Sequence, residues 1–274
     1  MRRMGKYTAH VAVLASAVGI SLAAWGATAL VGGDAGGAGT PGAGGAAAPK
    51  LPAQRTDGAN RPAKPTAGVP EGIAHAAEAG GRAVNITIDD GPDPRWTPQM
   101  LDILKQNDVK AVFCMIGPQA KRHPELVRRV VAEGHRLCDH TMTHDTAMDR
   151  KPVAYQKRQI LDARKLIEEA AGGVEVQYYR APGGAFTPDS RKIAAAAGMR
   201  PLGWNVDTKD FERPGAAAIV ATVKGELSNG PTILFHDGGG DRSQTVTALR
   251  QVLPWLKEQG RTFSFPVRTA PDTP

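Results

Sequence analysis

The residues best suited to chemistry begin with two neighbouring acids. Asp89 and Asp90 end the apolar run AVNITI and stand before a Gly-Pro turn that would expose them. Two adjacent carboxylates repel each other when both are ionised, and a nearby cation that binds one of them removes most of this cost. We therefore expect one of the two to bind a metal while the other stays free as a base. Taken alone, the same DDGP segment is also typical of a solvated loop.

Two histidines supply the other ligands that a metal would need. His140 and His144 stand four residues apart in HTMTH, a spacing that a helical turn would align on one face. Two imidazoles and one carboxylate form a three-ligand site that leaves positions open for water and substrate. The sequence therefore predicts a metal site made of Asp90, His140 and His144. Two unrelated surface histidines are the alternative.

Two further polar side chains follow apolar runs. Arg180 comes after VQYY and precedes APGG, which has too little side chain to be packing material. A guanidinium there can hold a carboxylate in its ionised form, and the Gly-Gly backbone can present an N–H group. His236 directly follows PTILF, a position that suits a general acid. Taken alone, Arg180 also fits an arginine in a surface turn, and His236 also fits a core histidine whose hydrogen bonds are satisfied.

Short apolar runs must position these side chains. They are AVNITI, KAVFCMI, RLCD, VQYY, RPLGWN, PTILF and TFSF, separated by segments with helical apolar spacing. Thr97-Pro98 and Thr187-Pro188 predict helix starts, each with an N-cap threonine. The alternation predicts an α/β fold with parallel strands, as a small distorted (β/α) barrel of about seven strands. A doubly wound open sheet is the alternative.

The polar side chains share one feature, since each follows a predicted strand. In parallel α/β folds the carboxyl ends of the strands meet at one face, where active sites form. The side chains that we expect to converge there are Asp89, Asp90, His140, Arg180, Asp207, Asp210 and His236.

Five ordered motifs resemble those of a known family. TIDDGP, HTMTH, RAPGG, DTKDF and LFH are similar, in order and approximate spacing, to the motifs of the polysaccharide deacetylase family, also called the NodB-homology domain or carbohydrate esterase family 4. The resemblance covers residues 82–266. It implies a metal-dependent hydrolase that removes N-acetyl groups from GlcNAc residues of peptidoglycan or a chitin-like oligosaccharide and releases acetate. It also implies one divalent metal ion, with zinc favoured over cobalt or nickel.

The resemblance assigns catalytic roles to seven residues. Asp89 would be the catalytic base, with Arg180 as its partner. His236 would be the general acid, tuned by Asp210. The implied metal ligands are Asp90, His140 and His144.

Three residues are implied to contact the substrate. The Gly183 N–H would share the oxyanion with the metal, Leu234 would line the acetyl pocket, and Phe211 would help to shape the groove. Gly183 stands where the family commonly has an aromatic residue, and Phe211 where it commonly has tryptophan, so the preferred glycan stays open. Cys138-Asp139 replaces the usual Gly-Asn pair and adds a negative charge near the metal.

Three other functions fit parts of this pattern. An O-acetyl esterase acting on xylan would use the same residues. An inactive wall-binding domain would keep the groove but lose a ligand or a catalytic residue, whereas every expected ionisable position is filled here. A non-haem iron oxygenase also uses two histidines and a carboxylate, but it would leave Asp89, Arg180 and His236 without roles.

The chain before the predicted domain divides into two segments. Residues 1–31 contain a basic start and an uncharged run over residues 11–31, which predict an export signal that is either cleaved or retained as a membrane anchor. Residues 32–81 are rich in Gly, Ala and Pro and predict a flexible linker. The domain would then cover residues 82–266, followed by a tail at 267–274. We expect the domain to act outside the cytoplasm, secreted or anchored at the cell wall.

Charge and cysteine content restrict the partners. The net charge of +7 falls to about +4 without the three basic residues of the signal, and no basic run is interleaved with aromatic residues. We therefore expect a polysaccharide partner and no nucleic acid, and we expect a monomer. Cys114 and Cys138 lie in strand-like runs, which predicts either a disulfide between neighbouring strands or two buried thiols.

Overall fold

The computed structural model describes residues 68–272. Within them the strands are β1 (Ala83–Asp89), β2 (Ala111–Met115), β3 (Arg136–Asp139), β4 (Tyr178–Tyr179), β5 (Arg200–Pro201), β6 (Val206–Asp207), β7 (Thr232–His236) and β8 (Thr262–Phe263). The α-helices are α1 (Thr97–Gln106), α2 (Gly117–Arg122), α3 (Pro124–Ala132), α4 (Val153–Ala170), α5 (Pro188–Ala196), α6 (Ala216–Glu226) and α7 (Ser243–Glu258). Short 3-10 helices cover Met148–Arg150, Pro182–Gly184, Asp210–Glu212 and Leu227–Asn229.

The strands form one parallel sheet in the order β5-β4-β3-β2-β1-β7-β6, and β8 pairs with the start of β1. The sheet curls into an incomplete barrel with helices on its outside, which confirms the predicted α/β barrel class. The run RPLGWN at 200–205, predicted as one strand, contains only the two-residue strand β5, and β6 begins directly after it. Because β5 and β6 lie at opposite edges of the sheet, the residues between them cross the open side of the barrel.

The central strand β1 is buried on both faces, as is usual in parallel sheets. Val84, Ile86 and Ile88 belong to the large apolar core that includes the helices. Asn85, Thr87 and Asp89 alternate with them and therefore point to the opposite side, into the barrel. The barrel interior thus carries polar side chains that lead up to the end of the strand.

A disulfide joins two strands inside the barrel. Cys114 on β2 and Cys138 on β3 are direct partners in the sheet register, and their sulfur atoms are bonded. Both residues are completely buried, in a small cluster with Val112, Tyr178 and Leu202. Of the two states predicted for these cysteines, the structure therefore has the disulfide.

The two predicted N-cap threonines differ. Thr187 begins α5 with a capping box, in which it exchanges hydrogen bonds with Ser190. Thr97 is the first residue of α1 and caps nothing. Its hydroxyl accepts the backbone N–H of Asp93 and donates to the carboxylate of Asp237. The predicted N-cap role of Thr97 is therefore wrong, because Asp237, a tertiary partner, accepts the hydrogen bond of its hydroxyl.

Packed structure extends on both sides of residues 82–266. Ala74 forms a bridge with Leu202, and the Asp272 carboxylate accepts the backbone N–H groups of His75 and Ala76. The predicted export signal and most of the predicted linker, up to residue 67, lie outside the described residues. Within residues 68–272, no helix has both the length and the apolar character needed to cross a membrane.

Candidate active site

The ends of the central strands bring the predicted acid and base together. Asp89 is the last residue of β1 and His236 the last residue of β7, and the two are register partners. Asp90 follows directly, and its N–H donates to the carbonyl of Cys114 at 3.1 Å. His140 follows β3 in the same way, with its N–H on the carbonyl of Met115. Neighbouring parallel strands therefore deliver these side chains to one face.

Asp90, His140 and His144 form a cluster that could hold a metal ion, with one ligand atom of each within 4.8 Å of the others. Asp90 Oδ1 lies 3.3 Å from His144 Nε2 and 3.6 Å from His140 Nε2. This oxygen is buried and has no hydrogen-bond partner within residues 68–272. Two imidazole nitrogens that face a buried, unpartnered carboxylate oxygen fit a divalent cation such as zinc.

The predicted geometry of the two histidines is wrong. Residues 140–144 form an irregular loop and no helical turn. Thr141 and His144 have φ angles of 71° and 52°, in the left-handed region that residues with a Cβ seldom adopt. The imidazoles nevertheless converge, with ring centroids 4.9 Å apart. Their approach depends on the loop conformation, since helical spacing is absent.

His140 is prepared for metal binding by its surroundings. Its Nδ1 donates to the carbonyl oxygen of Arg180 at 2.8 Å, which leaves the lone pair on Nε2, the nitrogen that faces Asp90. Burial lowers the pKa of His140 to about 3, against the opposing effect of the Asp90 charge. The imidazole is therefore neutral across the physiological range, the state in which histidine binds metals.

Asp89 and Arg180 form a fully buried ion pair. Asp89 Oδ1 accepts a hydrogen bond from Arg180 Nη1 at 2.7 Å. The guanidinium also donates to the Thr87 hydroxyl and to the carbonyls of Leu202 and Gly203, so each of its three nitrogens makes a hydrogen bond. Burial raises the pKa of Asp89, and the charge of Arg180 is the main effect that opposes this rise. Arg180 thus favours the ionised form of a carboxylate that burial would otherwise protonate.

His236 is held by Asp210 from the 3-10 helix that follows β6. Its Nδ1 donates to Asp210 Oδ1 at 2.6 Å, and its backbone N–H donates to Oδ2 at 2.9 Å. Burial lowers the pKa of His236, but the hydrogen bond and charge of Asp210, with the charges of Asp89 and Asp90, outweigh burial and raise the pKa to about 9. The imidazole therefore carries a proton at neutral pH.

Asp210 is itself supported by helix α7 and by the residue that precedes it, Arg242, which sequence reasoning did not select. The Thr245 hydroxyl donates to Asp210 Oδ2 at 2.8 Å. The buried Arg242 guanidinium donates to the Asp210 carbonyl at 3.3 Å and to the Gly238 carbonyl. The segment DRSQT at 241–245 does not indicate this role, because its composition is typical of any polar helix start.

Two other acids lie near the site: Asp237, which sequence reasoning missed, and Asp139, which it noted as an added negative charge. Asp237 is buried against Gly91, and its pKa rises to about 7, chiefly because of burial. Asp139 is buried as well; its Oδ1 accepts the Thr141 N–H at 2.7 Å, and burial raises its pKa well above the ordinary value. Asp207, which we expected in the site, instead accepts the Lys209 N–H within its own turn.

The expected substrate contacts border these groups. Phe211 is 46% exposed, and its ring lies 5.4 Å from the His236 ring. Leu234 is the register partner of Thr87 and so faces the barrel interior below His236. Gly183 has a φ of 59°, and a Cβ at this position would lie 3.4 Å from the Thr146 side chain. A glycine here keeps the backbone close to the loop that carries His144.

Comparisons with known proteins show what the chain is similar to. A family model described as polysaccharide deacetylase matches residues 76–202. The chain is 39% identical over 204 residues to a chitooligosaccharide deacetylase of Sinorhizobium fredii, covering 70% of this chain and 92% of that protein. It is 41% identical over 184 residues to a peptidoglycan-N-acetylglucosamine deacetylase of Bacillus cereus, covering 66% of this chain and 85% of that protein.

A solved structure extends the similarity to three dimensions. The crystal structure of the Bc1960 peptidoglycan N-acetylglucosamine deacetylase superposes with a TM-score of 0.66 at 31% identity, covering 70% of this chain and 90% of that chain. The arrangement of strands and helices is therefore shared along with the sequence.

Proposed function

The chain belongs to the polysaccharide deacetylase family, and we propose that it hydrolyses the N-acetyl groups of GlcNAc residues in peptidoglycan or a chitin-like oligosaccharide. The products would be acetate and a free amino sugar. One observation carries this proposal: a buried carboxylate-arginine pair lies beside a metal-ligand cluster and opposite a carboxylate-bound histidine. These are the groups that amide hydrolysis needs, namely a base, an electrophile site and an acid.

In the proposed mechanism Asp90, His140 and His144 hold one divalent cation, with zinc favoured over cobalt or nickel. Such a cation, when bound, lowers the pKa of a water molecule and polarises the acetamide carbonyl. The cluster supports this role because its two imidazole nitrogens and its unpartnered carboxylate oxygen face one point.

Asp89 is the proposed base. Its Oδ1 is occupied by Arg180, whereas Oδ2 points toward the metal-ligand cluster, 3.5 Å from His140 Nε2. Oδ2 can therefore take the proton of the attacking water while Arg180 keeps the carboxylate oriented. Burial removes competing water from around the carboxylate, so its proton affinity is set by the protein.

His236 is the proposed acid. The amine nitrogen leaves the tetrahedral carbon only after it gains a proton, because an amide anion is a very poor leaving group. Asp210 occupies Nδ1, so the proton available to the substrate is on Nε2. The backbone N–H of Gly183 would donate to the oxyanion, Leu234 would contact the acetyl methyl group, and Phe211 would contact the sugar.

We also propose that the domain acts outside the cytoplasm, secreted or tethered through residues 11–31, as a monomer. The basic start and uncharged run of residues 1–31 support export. The Cys114–Cys138 disulfide supports the same location, since disulfides persist in oxidising compartments.

Acetate release by the purified protein with added Zn²⁺ or Co²⁺ tests the proposal. We expect release from peptidoglycan or chito-oligosaccharides and little from acetylated xylan, whereas the reverse preference would indicate an O-acetyl esterase. Asp90→Ala and His140→Ala should abolish release. Undiminished release by either variant would contradict the metal mechanism, and glycan binding without any release would indicate an inactive wall-binding domain.

A further inference from the structure

We propose that Gln159, a residue of helix α4, is a positioning residue for the metal site: its side-chain oxygen holds the loop that carries His140 and His144. This inference rests on the proposed function in one respect, because it takes Asp90, His140 and His144 as metal ligands. Within residues 68–272, the Gln159 side chain makes its hydrogen bonds to Met142 and Thr143 and none to the three ligand side chains, so its effect would pass through the loop.

The contact is unusually dense for one amide group. Gln159 Oε1 accepts hydrogen bonds from the Met142 N–H at 3.1 Å, from the Thr143 N–H at 3.0 Å and from the Thr143 hydroxyl at 3.0 Å. The residue is buried, with 7% of its surface exposed. All three donors belong to the segment between the two histidines, so one oxygen restrains the middle of the loop.

The rest of the loop backbone is satisfied locally. The Thr141 N–H donates to Asp139 Oδ1 at 2.7 Å, and the His144 N–H donates to Thr141 Oγ1 at 3.2 Å. The four consecutive N–H groups of residues 141–144 therefore all donate to side-chain oxygens. The other acceptors, Asp139 and Thr141, belong to β3 and to the loop itself. Gln159 is the acceptor that connects these N–H groups to a helix.

This loop needs external support because of its backbone conformation. Thr141 and His144 both have positive φ, which costs energy for residues with a Cβ and most for a β-branched one such as threonine. Such conformations persist only where the surroundings enforce them. Thr141 and His144 lie on either side of Met142 and Thr143, whose N–H groups donate to Gln159. Removal of the Gln159 oxygen would therefore free both strained residues to relax.

The two histidines depend on the loop to different degrees. His140 is fixed to the sheet by its own backbone N–H and by its Nδ1, which donate to the carbonyls of Met115 and Arg180. Within residues 68–272, the His144 imidazole has no hydrogen-bond partner comparable to these, and its Nε2 faces Asp90 at 3.3 Å. The position of His144 is therefore set mainly by the loop, and its contribution to metal binding should weaken first.

Calorimetric titration of the metal-free full chain with Zn²⁺ tests the inference. Gln159→Met keeps the size of the side chain but removes the acceptor, and should weaken the Zn²⁺ affinity by about 10-fold or more, the scale seen when support around metal ligands is removed. Gln159→Glu keeps an acceptor oxygen and should bind Zn²⁺ within a few-fold of the unchanged protein.

Gln156→Met is the matched control. Gln156 lies one turn earlier on α4 and is also buried, but it hydrogen-bonds to Lys151 and Thr187 and not to residues 140–144, the ligand loop. Its replacement should lower the melting temperature of the metal-free protein much as Gln159→Met does, with the Zn²⁺ affinity unchanged. A purely structural role for Gln159 would make the two variants behave alike in both measurements.

The outcomes separate the two proposals. Unchanged Zn²⁺ affinity in folded Gln159→Met would overturn the positioning role and leave the proposed function intact, and equal losses in the Met and Glu variants would overturn the role of the oxygen. Failure of the unchanged protein to bind Zn²⁺ would overturn the metal site itself. Should Gln159→Met not fold, Gln159→Ala, which gives water room at the vacated position, allows the same comparison with Gln159→Glu.

Discussion

Asp210 holds His236 through two hydrogen bonds, one to the imidazole Nδ1 at 2.6 Å and one to the backbone N–H at 2.9 Å. The two carboxylate oxygens thereby set both the ring orientation and the residue position. The same contact stabilises the charged imidazole, so one carboxylate determines where the acid lies and over what pH range it holds its proton.

The pH range of the proposed acid should depend on Asp210. With the pKa of His236 raised to about 9, the imidazole is protonated below that pH and kcat should fall as the pH rises through it. Asp210→Asn removes the charge, so the alkaline limb should move down toward the ordinary histidine value of about 6.5. A pH-rate profile measures this shift. Asp207→Asn changes a carboxylate in the same segment that bonds to the Lys209 N–H and not to His236, and should leave the limb in place.

Stability should follow the same group in a definite direction. A group whose pKa is raised on folding contributes stability that is fully present below its unfolded pKa, about 6.5 for histidine. That contribution is lost as the pH rises toward 9. Urea unfolding between pH 6 and 9.5 should show this loss in the unchanged protein and a smaller one in Asp210→Asn. Equal slopes in the two proteins would contradict the assignment.

Arg180→Met should damage both folding and catalysis. It leaves Asp89 buried without its counter-charge, and breaking a buried pair costs about 3–5 kcal/mol of the free energy of unfolding. The pKa of Asp89 should rise, so the acid limb of kcat/KM should move to higher pH. Arg200→Met is the matched control, because Arg200 is also buried but its hydrogen bonds within residues 68–272 go to the backbone carbonyls of Arg268 and Ala270. It should destabilise the fold and leave the acid limb unchanged.

Removal of the metal should be reversible. A chelator should abolish acetate release, and added Zn²⁺ or Co²⁺ should restore it. An ion that binds the folded state alone stabilises it, so saturating Zn²⁺ should also raise the melting temperature, by an amount equivalent to about 2.7 kcal/mol at a concentration 100 times Kd. His144→Ala should lose most of this increase. Full activity after exhaustive chelation would contradict the proposed chemistry.

The Cys114–Cys138 disulfide should contribute to stability and resist reduction. Its sequence separation of 24 residues corresponds to about 3.5 kcal/mol in the chain-entropy treatment. Cys114→Ala with Cys138→Ala should therefore lower the free energy of unfolding by roughly this amount, as measured by urea titration. Both cysteines are completely buried, so a thiol reagent with mild reductant should label them only after unfolding. Labelling of the native protein would indicate free thiols.

Much of the fold could be predicted because the relevant signals are local. Apolar runs of strand length, separated by segments of helical spacing, identify each βα unit without knowledge of its neighbours. Adjacent parallel strands end on the same side, so the residues that follow them converge wherever the sheet forms. Asp89, His140 and His236 were therefore placed together from the sequence.

The predictions that failed concern conformations set by distant partners. The spacing of His140 and His144 suits a helix, but the loop takes a left-handed path because side chains from β3 and α4 accept its N–H groups. Thr97 precedes a proline like a cap, yet Asp237, 140 residues away, engages its hydroxyl. Gln159, 16 residues beyond Thr143, and Asp237 lie outside the local sequence, whereas Asp139 directly precedes the loop.

The sequence by itself therefore determined the class of fold, the family and the chemical groups of the candidate site, because these depend on residue type, periodicity and order along the chain. The tertiary structure alone decided how His144 reaches Asp90, which helix supports Asp210, and which oxygen restrains the ligand loop. These features depend on hydrogen bonds of fixed length and angle between residues far apart in the chain, and such geometry exists only once the sheet has curled and the helices have packed on it.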